Sequence, residues 1–288
     1  LFVQWLDGGE TAKVTTLPES PRSIVWSPDG KHIAFTRFVP SPPPKLADMP
    51  AKPKGAKWAE PATVVDRMTF RFDGGGYLPT GNQQVFVVPA DGGAPRQMTS
   101  GDYPISGSVS WMPDSQSIIF SSNRREDVEY HPRQNDLYAA SLVTGELTQM
   151  TDHAGPESDP AVSPNGRYLA YTSAADTRQG YNRSDLRIMD LTSGESRSLT
   201  ADLDRSVSDI QWSANSKSVW IRYNDLGMAR IAEVDLKGNL KQADIVLGGT
   251  ALGRPYTSGA FSVGGKDRIA YTLGRDDRPA DLALMRSG

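Results

Sequence analysis

The side chains with the clearest chemical potential in this chain are acidic. Glu126, Asp127 and Glu129 lie within four residues of one another, and Asp202 and Asp204 form a second cluster. Carboxylates grouped in this way can serve as general acids or bases. A solvated loop surface is the simpler explanation of both clusters, so their spacing alone does not identify an active site.

The usual signatures of a catalytic centre are missing from the sequence. A serine hydrolase of the α/β type needs a Gly-x-Ser-x-Gly elbow followed by Asp and His, and no such elbow is present. The chain has no cysteine, which excludes thiolate nucleophiles and disulfides. Its three histidines, His32, His131 and His153, have no metal-binding spacing. We therefore expect no cofactor, no metal and no catalysis by this chain alone.

Composition excludes two further classes of function. Lys and Arg total 31 against 34 Asp and Glu, a formal net charge of −3, and no basic block could bind a nucleic-acid backbone. Apolar stretches end within about seven residues, whereas a bilayer span needs roughly 20. We expect neither a nucleic-acid partner nor a membrane span.

The elements that must position any site are repeats. A strand, a turn and a second strand recur along the chain, first as the segment around Pro28. Equivalent positions follow at 113, 164, 214 and 263, at intervals of 85, 51, 50 and 49 residues. A second strand pair with a Gly-bearing turn follows each copy. Four short strands per period, joined by turns, are typical of a β-propeller blade.

The predicted fold is therefore an all-β propeller with four-stranded antiparallel blades. The Ser-Pro-Asp-Gly segments are interpreted as turn chemistry. Trp26, Trp111, Trp212 and Trp220 are predicted to pack between blades. The predicted units are a half blade at 1–20, a blade at 21–102 with an insertion at 38–81, blades at 103–154, 155–204 and 205–250, and an incomplete blade at 251–288.

One face of this fold should carry the function. In an up-and-down blade with strands A to D, the A–B and C–D turns share one face and the B–C connections share the other. The B–C connections are the long ones here, and loops presented by a rigid scaffold commonly carry function. The insertion at 38–81 opens with a proline-rich arm and regains strand character at 64–72, which predicts an extra hairpin on this face.

The insertion and several other segments carry a family resemblance. These segments are 64–78, 84–93, 123–130, 178–181 and 253–256. Together they make the chain resemble the propeller domain of a prolyl oligopeptidase family serine peptidase, of the acylaminoacyl peptidase or dipeptidyl peptidase kind. The similarity covers essentially the whole chain.

The resemblance implies a two-domain enzyme. In this family a propeller, usually of seven blades, caps a C-terminal α/β-hydrolase domain of the same polypeptide, admits short peptides and excludes folded proteins. It favours a periplasmic over a cytoplasmic location. The sequence begins with half a unit and ends before a last strand, so we expect a piece of a larger propeller, with the nucleophile elbow encoded downstream of Gly288.

The resemblance also guides the choice of site residues. The paired glutamates that hold the substrate amine in dipeptidyl peptidases lie on a helical insertion with no match here, so the cluster at 126–129 supplies the nearest acidic candidates. The full set of substrate-binding or domain-interface candidates is Arg71, Tyr77, Glu126, Asp127, Glu129, Tyr181 and Arg254.

Two other functions remain open from the sequence. TolB-like interaction scaffolds share the Ser-Pro-Asp-Gly repeats, so a binding module without an attached enzyme is the main alternative. The insertion and the segment 253–256 favour the peptidase. A propeller lyase or glycosidase acting alone is disfavoured by the scarcity of histidine and the absence of Asp boxes.

Overall fold

The computed structural model describes residues 1–48, 50–59, 62–245, 247–249, 258–265, 268–275 and 278–286, and in these residues it contains strands and no helix. The first strands are β1 (Phe2–Gln4), β2 (Thr11–Lys13), β3 (Arg22–Trp26), β4 (His32–Pro40), β5 (Arg71–Phe72), β6 (Gly76–Tyr77), β7 (Gly81–Pro89) and β8 (Arg96–Gln97). Then come β9 (Ile105–Trp111), β10 (Ser117–Ser122), β11 (Asp136–Ser141), β12 (Leu147–Gln149), β13 (Glu157–Val162), β14 (Tyr168–Ser173), β15 (Asp185–Asp190) and β16 (Ser196–Ser198). The last are β17 (Val207–Trp212), β18 (Ser218–Asp225), β19 (Met228–Asp235), β20 (Leu240–Gln242), β21 (Phe261–Gly264), β22 (Arg268–Arg275) and β23 (Arg278–Arg286).

These strands form antiparallel meanders, as the sequence predicts. Blade 1 consists of β3, β4, β7 and β8, blade 2 of β9 to β12, blade 3 of β13 to β16 and blade 4 of β17 to β20. Blade 5 contains three strands, β21 to β23, while β1 with β2 and β5 with β6 form two-stranded sheets. The all-β, four-stranded-blade prediction is confirmed. Within the described segments, no helix is long and apolar enough to cross a lipid bilayer.

The hydrophobic core lies between successive blades. Ile118 and Phe120 of blade 2 pack against Ala34 and Val85 of blade 1, and the same arrangement recurs between blades 3 and 4. Burying both faces of a sheet requires consecutive apolar residues in the inner strands, as in the Ile-Ile-Phe segment at 118–120 of β10, which is fully buried. Stacked sheets of this kind fix the direction in which every B–C connection leaves the fold.

The Ser-Pro-Asp-Gly turn has the chemistry expected from its residues. The Gly30 amide donates to the carbonyl of Ser27 at 2.9 Å, closing the turn. Asp29 accepts the Ser27 hydroxyl at 2.6 Å and the Lys31 amide at 3.0 Å. These bonds, led by that from Ser27, hold the pKa of the Asp29 carboxyl below its usual value. The acidic residue of this motif is therefore a turn residue.

Three of the four tryptophans predicted between blades are buried. Trp111, Trp212 and Trp220 are all at least nine-tenths buried. The prediction for Trp26 is wrong: this side chain is 50% exposed, and Ile24 beside it is 48% exposed. The sheet of β1 and β2 packs on Ile33, further along the same blade, so the described residues leave this part of β3 uncovered.

The insertion differs from the prediction in extent and in structure. Strands β4 and β7 stay paired through Pro40 and Gly81, so the insertion that leaves the sheet is 41–80. Strand structure was expected over 64–72, but only Arg71–Phe72 pairs, with Gly76–Tyr77. Upstream, the Met68 amide donates to a side chain of another blade instead of to a partner strand, which explains why no longer hairpin forms.

A cleft between the insertion and the blade 2 connector

The insertion leaves blade 1 through a narrow neck. Beyond the last strand pair, the Ser41 amide donates to the Thr80 carbonyl at 3.0 Å, and the Thr80 hydroxyl donates to the Ser41 carbonyl at 2.7 Å. Gly81 has φ = 133° and a Cβ there would lie 2.3 Å from the Val39 carbonyl oxygen, so only glycine fits. The neck fixes the point where the insertion departs from the sheet.

Two contacts hold the far end of the insertion against blade 2. The guanidinium of Arg67 lies 2.6 Å from one carboxylate oxygen of Asp102, and the Asn82 side-chain amide donates to the other at 2.6 Å. The Met68 amide donates to Glu129 at 2.8 Å. Asp102 precedes β9, and Glu129 lies in the connector between β10 and β11 (residues 123–135). The insertion therefore spans the boundary between blades 1 and 2.

The connector is held in shape by its own side chains. The Asn123 side-chain amide donates to the His131 carbonyl at 2.7 Å. Asp127 lies 2.9 Å from the guanidinium of Arg125 and 3.4 Å from the imidazole of His131. The hydrogen bond from Arg125 lowers the pKa of the Asp127 carboxyl. Asp127 is thus a structural partner within the connector.

A cleft of about 1540 Å³ lies between the insertion and this connector. Apolar side chains form much of its wall, including Leu46, Val64, Val65, Phe70, Tyr77 and Val128. Its charged side chains are Lys45, Asp48, Asp66, Arg67, Asp102, Glu126 and Glu129.

The charges of the cleft are unevenly paired. Both cations are engaged, Lys45 with Asp48 at 3.8 Å and Arg67 with Asp102 at 2.6 Å. Glu126, Glu129 and Asp66 have no ion-pair partner within the described part of the chain. An excess of unpaired carboxylate in a partly enclosed cleft attracts a cationic group.

The structure brings three of the predicted site residues together. Tyr77, Glu126 and Glu129 line the cleft. The Tyr77 ring is 63% exposed and its centroid lies 6.2 Å from that of Phe70. These groups offer carboxylates and aromatic surface side by side.

The other predicted site residues lie elsewhere. Asp127 turns into the connector, and Arg71, although it pairs with Tyr77 in the hairpin, is not part of the cleft wall. Tyr181 lies in the connection after β14, with its hydroxyl 3.3 Å from that of Ser206. Arg254 lies outside the described residues. Sequence reasoning gave no role to Asp102 or Arg67, because a pair 35 residues apart leaves no local signal.

Part of the chain matches a known family and several curated relatives. Residues 56–179 match the family described as the dipeptidyl peptidase IV N-terminal region. The chain is 30% identical over 139 residues to dipeptidyl-peptidase 5 of Porphyromonas gingivalis, which covers 46% of this chain and 20% of that protein. It is 28% identical over 100 residues to the Tol-Pal system protein TolB of Francisella tularensis, covering 34% of this chain and 20% of TolB.

Structural similarity extends over almost the entire chain. The acylaminoacyl peptidase of Pyrococcus horikoshii superimposes with a TM-score of 0.67 over 98% of this chain and 40% of its own, at 17% identity. The chain thus spans less than half the length of that peptidase. Residues 56–179 are thus similar to the dipeptidyl peptidase IV N-terminal region, and the chain as a whole has a β-propeller fold like that found in the acylaminoacyl peptidase.

Proposed function

We propose that this chain is the non-catalytic, substrate-gating propeller of a serine exopeptidase or oligopeptidase that acts on short peptides, as dipeptidyl and acylaminoacyl peptidases do. One observation carries the proposal. The family match over 56–179 contains Arg67 and Met68, which hold the insertion against blade 2, and the whole blade 2 connector. The segment similar to the family therefore builds the greater part of both walls of the cleft.

The cleft has the chemistry to receive one end of a peptide. The ammonium group of a substrate would lie between Glu126 and Glu129, and its first side chains would contact Phe70 and Tyr77. The cleft of about 1540 Å³ exceeds the roughly 300–1,000 Å³ of common small-ligand pockets, so it has room for a few peptide residues but not for a folded domain. Arg71, Tyr181 and Arg254 remain predicted contacts of the substrate or of a neighbouring domain.

Bond cleavage would take place in another domain of the same polypeptide. The sequence of this chain contains no Gly-x-Ser-x-Gly elbow, which an α/β-hydrolase needs for its nucleophile. We therefore propose a C-terminal α/β-hydrolase domain as the partner, with the propeller deciding which peptides reach it.

The test is kinetic and uses the intact polypeptide. Alanine at Glu126 and Glu129 should lower kcat/KM about ten-fold for a short peptide with a free amino terminus, because a charge-assisted hydrogen bond contributes about 1.5–3 kcal/mol. The matched control is Glu146→Ala, which lies in the turn after β11. Unchanged kcat/KM in the Glu126 and Glu129 variants would refute the assigned role of these residues.

A TolB-like interaction scaffold is the second candidate, and the 28% identity to TolB over 100 residues favours it. A scaffold would bind a folded protein and carry no hydrolase. The reading frame beyond Gly288 discriminates between the two proposals: a nucleophile elbow supports the peptidase, and its absence from the complete polypeptide supports the scaffold.

A further inference from the structure

A buried carboxyl lies between blades 2 and 3. Glu157 opens β13 and is 1% exposed. Its amide donates to the Asn135 carbonyl at 2.9 Å, and its own carbonyl accepts the Ser121 hydroxyl at 2.6 Å. The main chain of Glu157 is thus tied to the last residue of the connector that forms the cleft wall.

The repeat shows that the fold does not need a carboxyl at this position. Ile105 opens β9 and Val207 opens β17, and they are 6% and 4% exposed. The Val207 amide donates to the Ser184 carbonyl in the same way that the Glu157 amide donates to Asn135, which establishes that the positions are equivalent. Two blades fill the position with aliphatic side chains, and blade 3 fills it with an ionisable one.

The groups around Glu157 are themselves ionisable and incompletely paired. The Thr151 hydroxyl bonds to the carboxyl, while His153 in the connection after β12, Asp136 in β11 and Arg187 in β15 lie near it. Among the described residues, the second carboxyl oxygen of Glu157, Nδ1 of His153 and Nε of Arg187 have no hydrogen-bond partner. A buried carboxylate without full pairing is unfavourable, so the Glu157 carboxyl favours its neutral, protonated form.

Asp136 extends the cluster to the start of β11. It is 7% exposed and accepts the Gln149 side-chain amide at 3.2 Å and the His153 amide at 3.3 Å. Burial raises the pKa of both Glu157 and Asp136 above the usual carboxyl values. The cluster thus joins the end of the connector to the blade 3 interface through groups that gain or lose protons.

We propose that Glu157 is a proton-binding site at the blade 2–blade 3 interface that couples pH to the mobility of the 123–135 connector. Protonated, the side chain packs as a neutral group in the position of Ile105 and Val207. Deprotonated, it requires hydration, which loosens the contact with Asn135. Because a raised pKa means that the folded state binds the proton more tightly, the stabilisation is complete at acidic pH and is lost as pH rises through the folded-state pKa.

The first experiment compares unfolding midpoints of the 288-residue chain from pH 5 to pH 8. Glu157→Gln removes the proton-binding group at constant volume, and Glu157→Val installs the residue type of Val207. As pH rises from 5 to 8, the unfolding midpoint of the natural chain should fall by about 3 °C relative to the midpoints of both variants. The exposed Glu195→Gln is the matched control and should follow the natural chain. Parallel curves for the natural chain and Glu157→Gln would overturn the proposal.

The second experiment reads the connector directly and does not depend on peptide binding. The chain has no cysteine, so a single cysteine at Tyr130, which is 75% exposed, carries a unique spin label. A label at Val143, 72% exposed in the turn after β11, is the control site. With Glu157 present, the mobility of the label at 130 should increase with pH. With Glu157→Gln, the mobility of this label should stay constant. The label at 143 should show constant mobility in both backgrounds. A pH response at 130 that persists with Glu157→Gln would contradict the coupling.

Discussion

The hydroxyl of Ser115 accepts a hydrogen bond from the main-chain amide of Asp29 at 3.1 Å, across the boundary between blades 1 and 2. Ser216 accepts the Asn165 amide at 3.1 Å in the same way between blades 3 and 4. Both serines have left-handed backbones, with φ of 60° and 58°. Their positions in the turn are those that Gly30 and Gly166 occupy in the neighbouring blades, so the bond between blades explains why a strained serine stands where glycine would be relaxed.

The first prediction concerns these turns. Ser115→Ala loses the bond and keeps the strain, so it should lower the free energy of unfolding by about 1–2 kcal/mol. Ser115→Gly loses the bond but relieves the strain, so its free energy of unfolding should decrease by less than that of Ser115→Ala. Denaturant unfolding of both variants measures the difference. If the alanine variant is as stable as the natural chain, the hydroxyl is not what retains serine there; if it is as stable as the glycine variant, the left-handed backbone of Ser115 is not strained.

The second prediction concerns the indole contacts between blades. The Trp212 ring nitrogen donates to the Ala161 carbonyl at 2.8 Å. Trp212→Phe keeps an aromatic ring but removes this part-buried hydrogen bond between blades and some of the packing around it, and should lower the free energy of unfolding by about 1–3 kcal/mol. Trp26→Phe is the internal control, because the Trp26 side chain is half exposed, and should change stability by less than about 0.5 kcal/mol. Equal effects at the two positions, measured by denaturant unfolding, would contradict the packing described here.

The third prediction concerns the Arg67–Asp102 ion pair. Its side chains are 35% and 62% exposed, so removing the pair should change global stability by less than about 1 kcal/mol. It should nevertheless free the insertion, and Arg67→Ala should speed chymotrypsin cleavage at Phe70 and Phe72 several-fold. Salt at about 1 M should also speed cleavage of the natural chain. It shortens the Debye length to about 3 Å and so weakens the exposed Arg67–Asp102 ion pair.

Arg167→Ala provides the control for this prediction. Arg167 pairs with Asp190 at 3.2 Å on the opposite face of the propeller. Its loss should leave cleavage at Phe70 and Phe72 unchanged. Identical cleavage of the natural chain, Arg67→Ala and Asp102→Asn would show that the ion pair does not hold the insertion.

Local sequence features predicted most of the fold. The strand periodicity and the turn residues around Pro28 act over a few positions, so the blades could be predicted from the sequence. The sequence context of Trp26 matches that of Trp111 and predicts the same burial between blades. Burial, however, depends on what covers a residue, which local sequence does not encode. The strand predicted over 64–72 forms only at 71–72 for a similar reason, since β-propensity supplies no partner strand.

The candidate site was less accessible to sequence reasoning. The long insertion and the acidic cluster predict a site on the face of the B–C connections, and Tyr77, Glu126 and Glu129 line one cleft between these connections. Asp127 could not be separated from its neighbours, because its engagement by Arg125 and His131 depends on how the connector folds back. The burial of Glu157 was missed because a glutamate at the start of a strand is normally exposed.

Calorimetric titration of the 288-residue chain with a short peptide tests the central claim most directly. The natural chain should bind a tetrapeptide with a free amino terminus, and the Glu126→Gln, Glu129→Gln double variant should bind it about ten-fold more weakly. Glu195→Gln should bind as the natural chain does. Equal affinity of the double variant and the natural chain, or no binding by either, would contradict the assignment of the cleft as a peptide-recognition site.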